Sequence, residues 1–361
     1  VNSPSSDRIR SAAERTVNAF SPDGRIRRLG RELKVPAEAY LAHRSAERLA
    51  SEDGVLIVGP WSSEVGFELL YWLPYVRTVL RAHGVAPERV IALSRGGVRD
   101  WYQDVAGHYV DLLEWIEPNR LYDEQRRRVA SGGQKQTRVT PFDRACVAEV
   151  SRRFGDRPVE VLHPLHMYRR FRPVWMHRRA PSMFKRELTF APLYVSPLPP
   201  EGLQAGEYVA VKIYFSQSFP RTPENVRAAR ELLLRLQQET EVVLLRSPVA
   251  FDDHEDIAVP GIRVMSDGPP DANLGRQAAV AAGARALLST YGGFSYLGPM
   301  LGVPTCAFYS VDGWNSVHLE LMRTAMGVLR AESPSDRQIE YMLFDVHHVS
   351  LMDLLRSRSP T

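Results

Sequence analysis

The sequence predicts an α/β protein built as two successive units, each a parallel sheet covered by helices. Three observations carry this. From residue 54, short apolar runs alternate with stretches of helical periodicity, as strands buried on both faces require. The alternation breaks once, across 190–206, where Pro192, Pro197, Pro199, Pro200, Gly202 and Gly206 form the densest Pro/Gly stretch of the chain. It then restarts at Tyr208. Such a break reads as a flexible interdomain linker.

In chain order, residues 1–52 are polar and arginine-rich, with acids interleaved, and read as a helical N-terminal extension. The first domain, 53–195, opens with the strand Val55–Val58. A helix follows from about Ser63 to His83, capped by Ser62 or Ser63. Further apolar runs are Val90–Leu93, Tyr109–Trp115 and Val159–Leu162, with a helical pattern over Phe142–Phe154. The second domain, 196–335, begins with the strand Tyr208–Phe215. Thr222-Pro223-Glu224 then starts a helix, with threonine as cap and proline at the first helical position. Strands Val242–Leu245 and Ile262–Met265, helix Ala272–Ala282, the strand into Tyr291 and strand Thr305–Tyr309 complete it. Residues 336–361 are expected to form a helix returning toward the first domain.

Composition narrows the class. A chain of 361 residues supports two cores, and 44% hydrophobic with 24% charged residues is ordinary for a globular protein. A net charge of +4 gives no bulk attraction to nucleic acid, which is not an expected partner. Cys146 and Cys306 lie far apart with no C-x-x-C pair, so buried, reduced thiols in a cytoplasmic protein are expected. No run of 18 apolar residues or signal-peptide pattern is visible, so neither spanning nor export is expected.

The sharpest motif is Leu287-Leu288-Ser289-Thr290-Tyr291-Gly292-Gly293-Phe294-Ser295: a buried strand, two glycines, then a short helix from Ser295 to Leu301. Glycines let the backbone approach a ligand, and the free amides of a first helical turn favour an anion such as a pyrophosphate. The G-x-G-x-x-G spacing of a dinucleotide site is absent.

The run Asn273-Leu274-Gly275-Arg276-Gln277, followed by ALLSTYGGFSYLGPMLGVPTCAFYS, resembles the donor half of bacterial polysaccharide-type glycosyltransferases of the GT-B type. The resemblance covers roughly 207–320; in 54–190 it rests mostly on GPWSSEVGFELLYWLP. It implies two Rossmann-like domains facing a cleft, with a nucleotide-diphosphate sugar held mainly by the second. It also implies that no cofactor or bound metal is needed. The partners implied are the nucleotide sugar and a glycan, lipid-linked or small-molecule acceptor, with peripheral membrane contact and oligomerisation left open.

Site residues follow. Lys212, on an apolar strand, is costly to bury without an anionic partner, and the resemblance makes it the neutraliser of the leaving diphosphate. Ser216 and Ser218 are phosphate donors or turn residues. In the FDDHED loop, Asp253 and His254 are donor contacts or part of a solvated acidic loop. Met265, Asn273 and Gln277, with Thr290, Tyr291, Gly292, Gly293, Phe294 and Ser295, complete the donor set; Asn273 and Gln277 lie one helical turn apart. Asn315 and His318 approach from the last loop. Glu64, in the turn after the first strand, is the candidate base for the acceptor hydroxyl, or a first-turn residue favoured by the helix dipole. Glu68 is its reserve, and Asp111 and Glu114 are further carboxylates. Trp61, Ser63, His163, His166 and Arg169 are the acceptor set. The last three belong to a basic-aromatic segment, 163–186, that suits an anionic acceptor, lipid headgroups or a packed interdomain face. Two alternatives stand beside transfer: a sugar-nucleotide epimerase or hydrolase, and a non-catalytic sugar-nucleotide-binding module.

Overall fold

The computed structural model describes residues 54–131, 135–155, 157–176, 180–247, 255–265, 268–312, 316–332 and 340–348. The expected extension, 1–52, lies outside them, as do Asp253, His254 and Asn315.

Two parallel sheets form the framework, as expected. The first has the order β3-β2-β1-β4, from β1 (Val55–Val58), β2 (Val90–Ser94), β3 (His108–Asp111) and β4 (Val159–Leu162). The second has the order β12-β11-β10-β5-β7-β9. Its strands are β5 (Tyr208–Lys212), β7 (Glu241–Leu244), β9 (Arg263–Val264), β10 (Ala286–Thr290), β11 (Thr305–Tyr309) and β12 (Tyr341–Asp345). Two short strands, β6 (Tyr214–Phe215) and β8 (Glu255–Asp256), pair antiparallel beside it. Strands β1, β2, β5 and β7 are almost wholly buried, which is why they read as continuous apolar runs rather than alternating ones.

Each sheet reverses its direction of growth once. In the first, the chain runs outward from β1 to β3 and then returns to place β4 on the other side of β1. In the second, it runs outward from β5 to β9 and returns to place β10 beside β5. The pairs β1/β4 and β5/β10 are therefore topological switch points, and ligands bind beyond the carboxyl ends of the strands at such points.

Three expectations change. Tyr341–Asp345, inside the expected C-terminal helix, is an edge strand paired with β11. Phe344 is buried there against Phe308, 6.0 Å between ring centroids, an anchor only an extended chain in this register supplies. The 190–206 linker is a packed strap, not a flexible tether. Phe190 and Leu193 are buried in the main core, and Leu193, Leu198 and Gly206 donate backbone hydrogen bonds to Met300, Ala279 and Gly283. The strand Tyr208–Phe215 is broken at Ile213 into β5 and β6. The helix after β1 begins at Val65 and contains a π-helical segment, Glu68–Trp72, before continuing as Leu73–His83.

The main core runs through both units: Leu56 and Val58 of β1 belong to one buried cluster with Tyr208, Leu287 and Met322. The halves share apolar packing, so their relative placement is set by burial.

Candidate functional site at two switch points

The turn after β1 is held at nearly every polar atom. Gln136 bonds Pro60 O and Ser62 N at 2.7 and 3.0 Å. Gln125 donates to Ser62 O, Arg128 to Ser62 Oγ at 3.2 Å, Tyr168 to Ser63 Oγ at 3.0 Å, and Arg95 to Ser63 O. These partners come from four different segments. The turn presents Glu64, whose side chain is 42% exposed and pairs with Lys135 at 3.3 Å. Lys135 lies over the Phe67 ring, 3.1 Å from its centroid, with a left-handed backbone (φ 61°). Burial lowers its pKa and Glu64 opposes the shift. No motif pointed to Lys135.

Glu68 is not a reserve base. It is fully buried and accepts from Ser94 Oγ at 2.6 Å, Tyr102 OH at 2.7 Å and Arg95 at 3.0 Å. Desolvation raises its pKa, opposed mainly by the Arg95 charge. Arg95 bonds both Glu68 and Ser63 O, so this pair braces the turn that carries Glu64. Asp111 is likewise buried, accepting from Gly97 N, Tyr109 OH and Leu113 N, and Glu114 pairs with Arg153 at the surface.

Three acceptor-set residues are structural. Trp61 is completely buried, stacked between Trp72 at 5.7 Å and Tyr168 at 6.1 Å. Both polar side-chain and carbonyl atoms of Ser63 are engaged as above. His163 is buried, accepting from Leu165 N at 3.0 Å, with Nε2 3.3 Å from Asp143, which also pairs with Arg128 at 2.7 Å. His166 and Arg169 are half-buried. The aromatics of the basic-aromatic segment, Tyr168, Phe171, Trp175 and Phe184, pack around Tyr71 and Phe67 and present no stripe to a membrane. Apolar faces of that size are buried when a partner helix is available.

On the second sheet, Lys212 ends β5 and is 6% exposed, in register with Ser289 of β10. It pairs with Asp256 at 2.9 Å and approaches Ser247 Oγ at 3.3 Å, while Ser247 N donates to Asp256 at 2.7 Å. Gln277 Nε2 bonds Ser247 Oγ at 3.1 Å and Asn273 Oδ1 at 2.6 Å. Among the described residues, Gln277 Oε1 and Asn273 Nδ2 are buried and have no hydrogen-bond partner, so the amide pair keeps a donor group and an acceptor atom to offer. Ser216 and Ser218 bond each other at 3.0 Å, and Ser218 bonds Tyr291 O, which makes them turn residues. Met265 packs in the main core.

The Gly-Gly turn follows β10 as expected, leading into a 3₁₀ turn (Gly293–Tyr296) and a helix (Leu297–Met300). Its surroundings differ from the expectation. Ser295 is buried, its hydroxyl bonded to Gly292 O at 2.8 Å and near Tyr341 OH at 3.0 Å, and Thr290 is buried too. Phe294 and Tyr291 are also buried. A Cβ on Gly293 would lie 2.6 Å from Gly66 N. While a Cβ on Gly292 would lie 2.4 Å from the Tyr214 hydroxyl, Gly293 admits the first domain's backbone at this face. A second contact is similar: Gly275 N donates to Gly96 O at 2.8 Å.

His318 crosses the same seam, its Nδ1 2.6 Å from Tyr71 OH and its ring edge-on to Phe67 at 5.3 Å. Burial and the nearby Lys135 charge bring its pKa down to about 4, so it is neutral near pH 7. The Tyr71 hydroxyl, kept protonated by burial, and Nδ1 share one hydrogen bond in which either can donate, according to the imidazole tautomer.

Among the described residues no group of three His, Cys, Asp or Glu side chains is placed to hold a metal ion, and no helix is long and apolar enough to cross a membrane. Cys146 and Cys306 are not joined in a disulfide, and burial pushes the Cys146 thiol up to about 12.

No protein-family model and no curated protein matches this sequence. Several solved structures do. The chain is similar to the E. coli heptosyltransferase WaaC with ADP, at 14% identity over 84% of this chain and 98% of that one, TM-score 0.40. It is similar to the iron-containing dodecameric glycosyltransferase TibC of enterotoxigenic E. coli H10407, at 14% identity and TM-score 0.40, covering 72% of this chain and spanning 59% of that one. A glycosyl transferase family 9 structure from Veillonella parvula DSM 2008 matches at 13% identity, 78% and 98% coverage and TM-score 0.40. These matches are to glycosyltransferases.

Proposed function

We propose that this protein is a glycosyltransferase moving a sugar from a nucleotide-diphosphate sugar to an acceptor hydroxyl, with inversion and without a resident metal ion. One observation carries the reading. The turns at the two switch points touch at Gly66 and Gly293, with a half-exposed carboxylate, Glu64, beyond β1 and a buried lysine, Lys212, at the end of β5.

Transfer needs a proton acceptor on one side of the anomeric carbon and a counter-charge on the other. Glu64 would take the acceptor's proton from a turn that its hydrogen bonds hold in one geometry. Lys212, oriented by Asp256, would offset the charge developing on the diphosphate, the task a metal performs elsewhere. The Asn273–Gln277 pair would read a polar edge of the nucleoside. His318 Nε2 would hydrogen-bond the sugar or phosphate.

The test is turnover of a panel of nucleotide sugars with and without acceptors, for the wild type and Glu64→Gln. Transfer from one donor, falling about 10²–10⁴-fold in Glu64→Gln with donor affinity kept, is expected. Donor consumption without any acceptor would instead mark an epimerase or hydrolase. Undiminished transfer by Glu64→Gln would remove the carboxylate from the chemistry.

A further inference from the structure

Lys135 stands apart from every motif in the sequence, yet it is placed at the site. Its ammonium is 3.3 Å from Glu64 and sits on the face of Phe67, with a side chain 26% exposed. The residue after it, Gln136, is fully buried and bonds Pro60 O and Ser62 N, so the segment is fastened to the Glu64 turn. Two residues beyond Glu64, Gly66 touches Gly293 of the turn after β10. The Phe67 ring beneath the ammonium packs edge-on against His318, from the other half of the molecule. Lys135 therefore carries a positive charge from the first unit to the seam, beside the step where the second unit's site begins. Its left-handed backbone, uncommon for a residue with a side chain, is the kind of strain that functional positions retain.

We propose that Lys135 is a catalytic charge partner that pairs with Glu64 before transfer and is released toward the leaving diphosphate as Glu64 becomes protonated. This rests on the glycosyltransferase reading above. The step balances. The acceptor O–H bond breaks and its proton goes to Glu64, while the acceptor oxygen forms the new bond to the anomeric carbon. The bond from that carbon to the phosphate oxygen breaks, and its electron pair stays on the diphosphate. The nucleotide gains one negative charge as Glu64 loses one. The Glu64–Lys135 pair is neutral before the step and carries one positive charge after it. The counter-charge thus appears where and when it is needed, and adds little to binding of the intact donor.

Glu64→Gln mimics the protonated carboxyl, so the idea is testable by binding alone, without knowing the acceptor. Affinities for ADP, GDP, UDP and dTDP would be measured by calorimetry for the wild type, Glu64→Gln, Glu64→Gln/Lys135→Met and Glu64→Gln/Lys135→Arg. The diphosphate that binds best should bind Glu64→Gln about 3- to 10-fold tighter than wild type, the size expected for one unit charge in a partly solvated site. The gain should vanish in the Met double variant, persist in the Arg one and shrink as salt rises. Thermal melts confirm that each variant is folded; Lys135→Arg keeps the charge if Lys135→Met is not. No gain in Glu64→Gln, or a gain that survives Lys135→Met, overturns the role of Lys135 and leaves the glycosyltransferase reading standing. Absence of diphosphate binding by the wild type overturns both.

Discussion

The Cα of Gly293 occupies the space that a side chain on Gly66 would need: a Cβ built on Gly66 lies 2.5 Å from it. The two residues are far apart in sequence and follow strands of different sheets. Their contact brings the turn that presents Glu64 against the turn that follows β10, so the two halves of the candidate site meet backbone to backbone.

Filling that contact should loosen the seam. Gly66→Ala and Gly293→Val each force a shift that typically costs about 1–3 kcal/mol. Melting temperature is expected to fall by several degrees in either variant, followed by scanning calorimetry. Separation of one transition into two would show that the halves unfold independently once the contact is lost. A variant with an unchanged melt would mean that the seam is open in solution.

Glu68 should behave as a brace. Glu68→Leu strands the buried Arg95 guanidinium without its carboxylate, a loss of about 3–5 kcal/mol when one partner of a buried pair is removed. A lower urea midpoint is the expected result. Under the function proposed above, turnover should fall as well, because Ser63 loses the fixed guanidinium that holds its carbonyl. Stability equal to wild type would contradict the network.

Lys212→Ala separates ground-state binding from catalysis. If the ammonium acts on the departing diphosphate, kcat should fall by about 10²-fold or more while donor affinity changes little. Equal losses in both, measured by steady-state kinetics and calorimetry, would make it a binding contact only. Asp256→Asn should weaken the effect of Lys212 by freeing its head group.

Stability should fall with acid through two histidines. Burial holds both His166 and His318 at about 4, below the ordinary value of 6.5, with the charges of Arg169 and Lys135 adding to the effect. A histidine whose folded pKa is depressed is neutral in the native state, so its contribution is full above about 6.5 and is lost as pH falls toward 4. Melts between pH 7 and 4 should show this slope, and His318→Gln should flatten it. An unaltered slope in that variant would place the proton uptake elsewhere. Carboxylates add to it below this window: Asp143, held low by His163 and Arg128 against its desolvation, contributes stability that disappears only as pH drops through its own depressed value.

Much of the framework was legible in the sequence, because apolar runs of strand length and the cap Thr222 are local signals. Thr222 caps its helix as read, accepting from Asn225 N at 3.2 Å. The turn after β10 was legible for the same reason. What surrounds such a turn is not local. Glu64 and Glu68 look equivalent in sequence, one helical turn apart, yet one faces solvent and the other is enclosed by Ser94, at the end of β2, and by Arg95 and Tyr102 beyond it.

By itself the sequence determined the two parallel sheets and the strand-to-helix turns at their carboxyl ends, since hydrophobic period and glycine, proline and threonine punctuation act over a few residues. Tertiary structure decided which polar groups at those turns are free. Trp61, Ser63 and His163 were absorbed into packing and hydrogen bonds by partners distant in the chain, and Gly293 came to lie against the backbone of Gly66. It also placed Lys135, 71 residues from Glu64, at the seam. A charge pair of that separation leaves no periodic trace, because its geometry is set by the packing of the Lys135 segment on the turn after β1 and not by the spacing of the residues that form it.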